Sequence, residues 1–131
     1  LIFRNHTPHE LEKLAARNRG AYLVWAVGHC GRCHSPWTLM GGMRLDWEIT
    51  GSLKGPEGRR VPNITLHKPK GIAAWDLNDI VTFLMDGFLP DGDYVGGAMI
   101  EAIKNSTNRI AEEGLRTIVT FLSSTPKHQG P

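Results

Sequence analysis

The chain has 131 residues, 40% hydrophobic and 21% charged, which suits one soluble globular domain with a core of its own. A net charge of +2 and the lack of any block of five like charges exclude a nucleic-acid binder. No apolar run approaches the roughly 20 residues of a membrane-spanning helix, so membrane association would come only through partners. The charge is unevenly placed. Residues 1–75 hold 11 Lys and Arg against 5 Asp and Glu, whereas residues 76–131 hold 4 against 8. Such a distribution can orient a docking partner, or it is scatter over solvated faces.

In chain order, Thr7-Pro8-His9-Glu10 is a capping box with Pro at the first helical position. Leu11, Leu14, Asn18, Tyr22 and Trp25 follow at helical spacing, which predicts a helix to about Val27. Gly20 inside it costs about 1 kcal/mol relative to Ala, and close contact with another helix would justify keeping it. Cys30-Gly31-Arg32-Cys33-His34 comes next on a short helical turn. Residues 35–71 are rich in Gly, Pro and basic side chains and read as one long loop, a length usually tied to function. Asp76 opens a helix that ends near Gly87, and Pro90-Asp91-Gly92-Asp93 is a turn. A short helix follows Met99 to about Asn105. The last helix begins at Glu112-Glu113, acids that suit its positive end, and stops before Pro126. The expected fold is all-α, with four to five helices in a single domain over residues 1–131. No signal-peptide pattern opens the chain and it does not begin with Met. It reads as a mature protein or an excised domain.

The two cysteines of the chain both lie in that five-residue motif, and three chemistries compete for it. A thioredoxin-like dithiol needs a preceding strand and a parallel sheet, and neither is visible. A structural zinc site needs four ligands, usually two spaced pairs, and the second pair is missing. Attachment of haem c needs only two thiols for the vinyl groups and an adjacent imidazole for the iron. The expectation is one covalent haem on Cys30 and Cys33, with His34 as an axial ligand.

For the sixth iron position the sequence offers four methionines. Met40 and Met43 follow His34 too closely to reach the opposite haem face. Met85 reads as a flexible core filler on its helix. Met99 lies 65 residues beyond His34, after Gly96-Gly97-Ala98, where small residues let the backbone approach a large flat group. Met99 is therefore the chosen second ligand and His67 the rival. His6, His9, His29 and His128 are assigned surface or capping roles. Asn63, Trp75 and Arg60 are candidate contacts to the haem propionates. Trp75 reads equally as a core aromatic. Lys54, Arg59, Arg60, Lys68 and Lys70 would receive an acidic partner, neutralise propionates or simply keep the loop solvated.

The order helix, Cys-x-x-Cys-His, loop, helix, Met, helix resembles class I cytochrome c. It is most similar to the haem domains in the cytochrome subunits of membrane-bound alcohol, gluconate and related sugar dehydrogenases. The resemblance rests on Arg19-Gly20-Ala21-Tyr22-Leu23-Val24, on Gly28 to Pro36, and on Pro62-Asn63-Ile64-Thr65. Gly71-Ile72 with Trp75, Gly97 to Met99 and Ser106-Thr107 add to it. It implies Met99 as the second ligand and a crossing of the first and last helices with Gly20 against Phe121. Trp37 departs from the pattern where Arg commonly stands, as does Ala111 where Thr usually caps the last helix. The implied function is electron transfer by a His/Met haem, from a donor dehydrogenase to an acceptor, either an oxidase or another cytochrome. Covalent haem implies a compartment outside the cytoplasm, the periplasm. The alternatives are a haem enzyme or gas binder with an open sixth site, and a purely structural domain of a larger oxidoreductase.

Overall fold

The computed structural model describes residues 7–131, apart from the side chains of Leu45 and Glu57; what was expected of the first six residues, His6 among them, lies outside it. Among the described residues there are five α-helices and no strand. They are α1 (Pro8–Tyr22), α2 (Cys30–His34), α3 (Leu77–Asp86), α4 (Ala98–Asn105) and α5 (Glu112–Ser124). No helix is long and apolar enough to cross a membrane.

Both bonds of the capping box form. Thr7 Oγ1 accepts from the Glu10 amide at 3.2 Å, and the Thr7 amide donates to Glu10 Oε2 at 2.6 Å. Residues 23–27 then continue the helix as one widened π turn (Leu23–Val27). The buried face differs from the expected one. Asn18 is exposed and Tyr22 is 62% exposed, while Gly20, Leu23 and Val24 are buried. The close approach of α5 selects this face, and a simple count of apolar spacing does not see it. Arg17 joins the same side with its guanidinium 5.6 Å from the centre of the Phe121 ring.

The core gathers Leu23 and Val24, Ile80, Val81 and Leu84 of α3, and Leu115, Ile118, Val119, Phe121 and Leu122 of α5. Apolar residues on α3 and α5 recur at three- and four-residue steps, so each helix turns one stripe inward. Asp76 caps α3 through its side chain and Gly87 ends it at φ 80°. Ala111 provides no side-chain cap for α5, as expected of alanine; Glu112 and Glu113 occupy its first turn. Met85 departs from its expected core role. Its side chain is 44% exposed, because α3 buries Ile80, Val81 and Leu84 and position 85 falls outside that stripe.

The long segment after α2 carries only two 3-10 turns, Leu45–Trp47 and Pro56–Gly58. Two isolated bridges, Trp37 with Met43 and Ser52 with Val61, fold it into short reversals. The expected turn at 90–93 is present too, closed by a bridge between Phe88 and Tyr94.

The crossing of α1 and α5 is set by Gly20. A Cβ there would lie inside contact distance of the Thr117 carbonyl oxygen and 2.9 Å from Phe121 Cβ. Backbone cannot swing aside as a side chain can, so the steric cost exceeds the gain of about 1 kcal/mol in helix propensity. Gly20→Ala should destabilise the folded chain by about 2 kcal/mol, lowering the melting temperature by roughly 5 °C or more. Thermal unfolding followed by circular dichroism checks this. An unchanged or higher melting temperature would show that the crossing can widen at little cost.

Candidate functional site

The π turn ends at Gly28, and His29 leads into α2 at φ 53°, a left-handed conformation uncommon for a side-chain-bearing residue. This sharp change of direction sets Cys30, Cys33 and His34 on one short helix. His29 stands at the N-cap position but makes no side-chain cap bond. Gly31 is required inside the turn because the Trp25 ring packs directly on it and leaves no room for a Cβ. Trp25 is held in turn by its indole N–H, which donates to Glu48 Oε1 at 2.6 Å.

His34 is buried, 8% exposed, and its Nδ1 is 2.8 Å from the Pro62 carbonyl oxygen. A carbonyl only accepts, so Nδ1 carries the proton and Nε2 keeps its lone pair. Burial pulls the imidazole below its ordinary pKa, favouring the neutral form, while the Pro62 bond opposes this in part. A neutral ring with one nitrogen anchored and the other free is the form in which histidine binds a metal. Around it the backbone is tightly held. The Gly51 amide donates to the His34 carbonyl at 2.6 Å, and Ser35 Oγ accepts from the Ile49 amide at 2.9 Å. Ile49 is fully buried at φ 54°, a strained conformation for a β-branched residue. Its carbonyl accepts from the Ile64 amide at 3.0 Å.

Cys30 packs against the core, and burial pushes its thiol up to about 11. Dithiol redox catalysis asks for the opposite, a thiol lowered towards neutral pH. Neutral thiols suit addition across a vinyl group, in which the S–H proton passes to carbon and the sulfur forms a thioether. Cys33 borders an open cleft of about 470 Å³ shared with Gly28, His29, Arg32, Trp37, Lys54, Gly55 and Pro56. Trp37, where the pattern leads one to expect Arg, is 47% exposed and donates its indole N–H to the Arg32 carbonyl at 3.0 Å. Among the described residues no group of three His, Cys, Asp or Glu side chains could hold a metal ion. The donor set and its supports fit a covalently attached haem.

The other expected residues divide. Met99, in the first turn of α4, is partly buried against the core that also takes Cys30, Ile64, Ile72 and Trp75. Met40 is 95% exposed. Trp75 is partly buried and meets Phe83 edge to face, with ring centres 5.3 Å apart. His67 has a buried Nδ1 with no partner among the described residues. Arg60 borders a second cleft with Lys70, Thr50, Ser52 and Pro62. Asn63 is buried and engaged. Its Oδ1 accepts from the amide and the hydroxyl of Thr65, at 2.8 and 2.7 Å. Its Nδ2 donates to the His128 carbonyl at 2.6 Å. The part played by His128 escaped the sequence reading, since nothing local marks a contact across 65 residues.

No protein-family model matches this sequence. The chain is 38% identical over 109 residues to a "Diheme cytochrome c-type" of Cereibacter sphaeroides, covering 82% of this chain and 35% of that protein. It is 34% identical over 109 residues to the fructose dehydrogenase cytochrome subunit of Gluconobacter japonicus, covering 83% and 22%. The cytochrome c subunit of the quinone alcohol dehydrogenase of Gluconobacter oxydans is 31% identical over 113 residues, covering 82% and 24%. The chain thus spans about a third or less of the relatives it matches. Over most of its own length, it is a homologue of the cytochrome c subunits of alcohol, fructose and gluconate dehydrogenases.

Proposed function

We propose that the chain is an electron-transfer cytochrome c domain of the class I fold. It carries one haem bound through Cys30 and Cys33, with His34 and Met99 as axial ligands. It takes electrons from a periplasmic dehydrogenase and passes them to a respiratory acceptor, an oxidase or another cytochrome. The observation that carries this reading is the His34–Pro62 bond inside a Cys-x-x-Cys-His turn, which fixes both the tautomer and the orientation of the ring. The relatives support the donor class through their names alone.

When bound, the haem supplies a one-electron couple at its iron. The residues of this chain supply the rest. Cys30 and Cys33 tether, His34 donates a lone pair from a ring whose other nitrogen is anchored, and Met99 offers a thioether from a core-packed helix turn. A site with both ligands fixed needs little rearrangement when the charge changes, and its potential follows the ligands, burial and hydrogen bonds. Trp75 and Arg60 are the candidates to meet propionates. Asn63 retains one amide hydrogen for that purpose.

Three measurements test the reading. The intact mass of the denatured chain should show one added haem and no free thiol, and haem extracted by acid and organic solvent would overturn covalent attachment. Met99→Ala should abolish the weak long-wavelength absorption of a ferric iron–sulfur bond, lower the potential and admit carbon monoxide. The same change at exposed Met40 or Met85 should leave that band in place. A spectrum altered instead by His67→Ala would make the haem bis-histidine. Finally, Arg59→Gln with Arg60→Gln should slow bimolecular electron transfer with an acidic partner and flatten its salt dependence. An unchanged rate at low ionic strength would return these residues to a solvating role.

A further inference from the structure

Residues 126–131 follow α5 and contact the loop that carries Pro62. The His128 carbonyl accepts from Asn63 Nδ2 at 2.6 Å and from Thr65 Oγ1 at 3.4 Å. The His128 ring lies 4.8 Å from the ring of Trp47, over which the Arg44 guanidinium also sits at 3.9 Å. The Gly130 amide donates to His128 Nδ1 at 2.9 Å, and Gly130 packs on Thr50 so closely that a Cβ would meet it. The segment is thus tied at two points, to the Pro62–Thr65 turn and to residues 47–50.

These are the two stretches that hold His34. The 47–50 stretch supplies Ile49, bonded to Ser35 on one side and Ile64 on the other. The Pro62–Thr65 turn supplies the carbonyl that anchors Nδ1. That carbonyl belongs to the peptide unit joining Pro62 to Asn63, so how Asn63 is held bears directly on its direction. The Asn63 side chain is held by Thr65 through Oδ1 and by the His128 carbonyl through Nδ2. Without this segment, Asn63 Nδ2 loses a buried acceptor, which costs about 1–3 kcal/mol and favours rotation towards water.

We infer that Asn63 and the 128–131 segment are positioning elements for the axial imidazole: they aim the Pro62 carbonyl at His34 and so set the electron donation of its ring to the iron. A hydrogen bond from Nδ1 makes the imidazole a stronger donor, and stronger donation favours ferric over ferrous iron. This inference rests on the haem reading above. It gives Asn63 a part in the ligand's support beside its candidate contact with a propionate.

The test compares wild-type holoprotein with a chain ending at Lys127, with Asn63→Ala and with His128→Ala. The last keeps the carbonyl and loses the ring, with its tilted contact to Trp47 and the bond from the Gly130 amide. Exchange of the His34 Nδ1 proton with solvent, followed by NMR of the ferrous protein, should speed at least tenfold in the truncated chain and in Asn63→Ala. It should speed by less in His128→Ala, and the reduction potential should move in the same order. If a variant fails to load haem, the milder His128→Ala decides the matter. Lower stability with unchanged proton exchange and unchanged potential would reduce the 128–131 segment to a structural clasp and overturn the inference. A wild-type chain that holds no covalent haem overturns both this inference and the reading beneath it. Haem-loaded variants indistinguishable from wild type overturn this inference alone.

Discussion

The close crossing of α1 and α5 at Gly20 is the constraint from which the remaining geometry follows. It brings helix backbone against helix backbone, with the Thr117 carbonyl facing a residue that has no side chain. From that fixed point only one π turn separates α1 from the reversal at His29, so the position of the cysteines is inherited from the crossing. On the other side α5 packs against α3, and Thr107, just before α5, donates from Oγ1 to the Leu84 carbonyl at 2.6 Å. The site therefore hangs on a frame of packed helices, while the loop that closes over His34 joins it through buried Ile49 and through many hydrogen bonds.

That division decides what could be read from sequence. Helix ends were legible because capping chemistry is local. Thr7 with Glu10, and Asp76 with Gly87, act within four residues or at a single terminus. The turn of Cys30 to His34 was legible because two thiols and an imidazole at that spacing serve few purposes. The face of α1 was not. The π turn and the contact with α5 rotate the buried stripe from Tyr22 towards Leu23 and Val24. Met85 was misread for a related reason, since its exposure depends on which stripe of α3 the neighbouring helices cover.

Loop contacts were harder still. The Pro62 carbonyl that anchors His34 is a backbone group, and backbone groups leave no mark in a sequence beyond the identity of their residue. The resemblance named Pro62 to Thr65 as a landmark without saying what it does. Its physical content is a carbonyl aimed at the ring and an Asn63 side-chain oxygen that accepts from both the amide and the hydroxyl of Thr65. The strained φ of Ile49 belongs to the same closure. Bonds to Ser35 and Ile64 hold a conformation that an isolated isoleucine avoids.

The reversal between Trp37 and Met43 has a different bearing, on how the chain can change in length. Its ends are tied by the Thr38 amide donating to the Gly42 carbonyl at 2.6 Å, and Leu39 and Met40 at its tip touch almost nothing. Extra residues there would add loop-closure entropy of only about 0.6 kcal/mol for each doubling of the loop. One residue removed from the π turn would instead rotate everything after it by about a quarter of a helical turn or more and carry the cysteines away from Pro62. The two segments lie within twenty residues of each other, one open to insertion and grafting, the other intolerant of a single deletion.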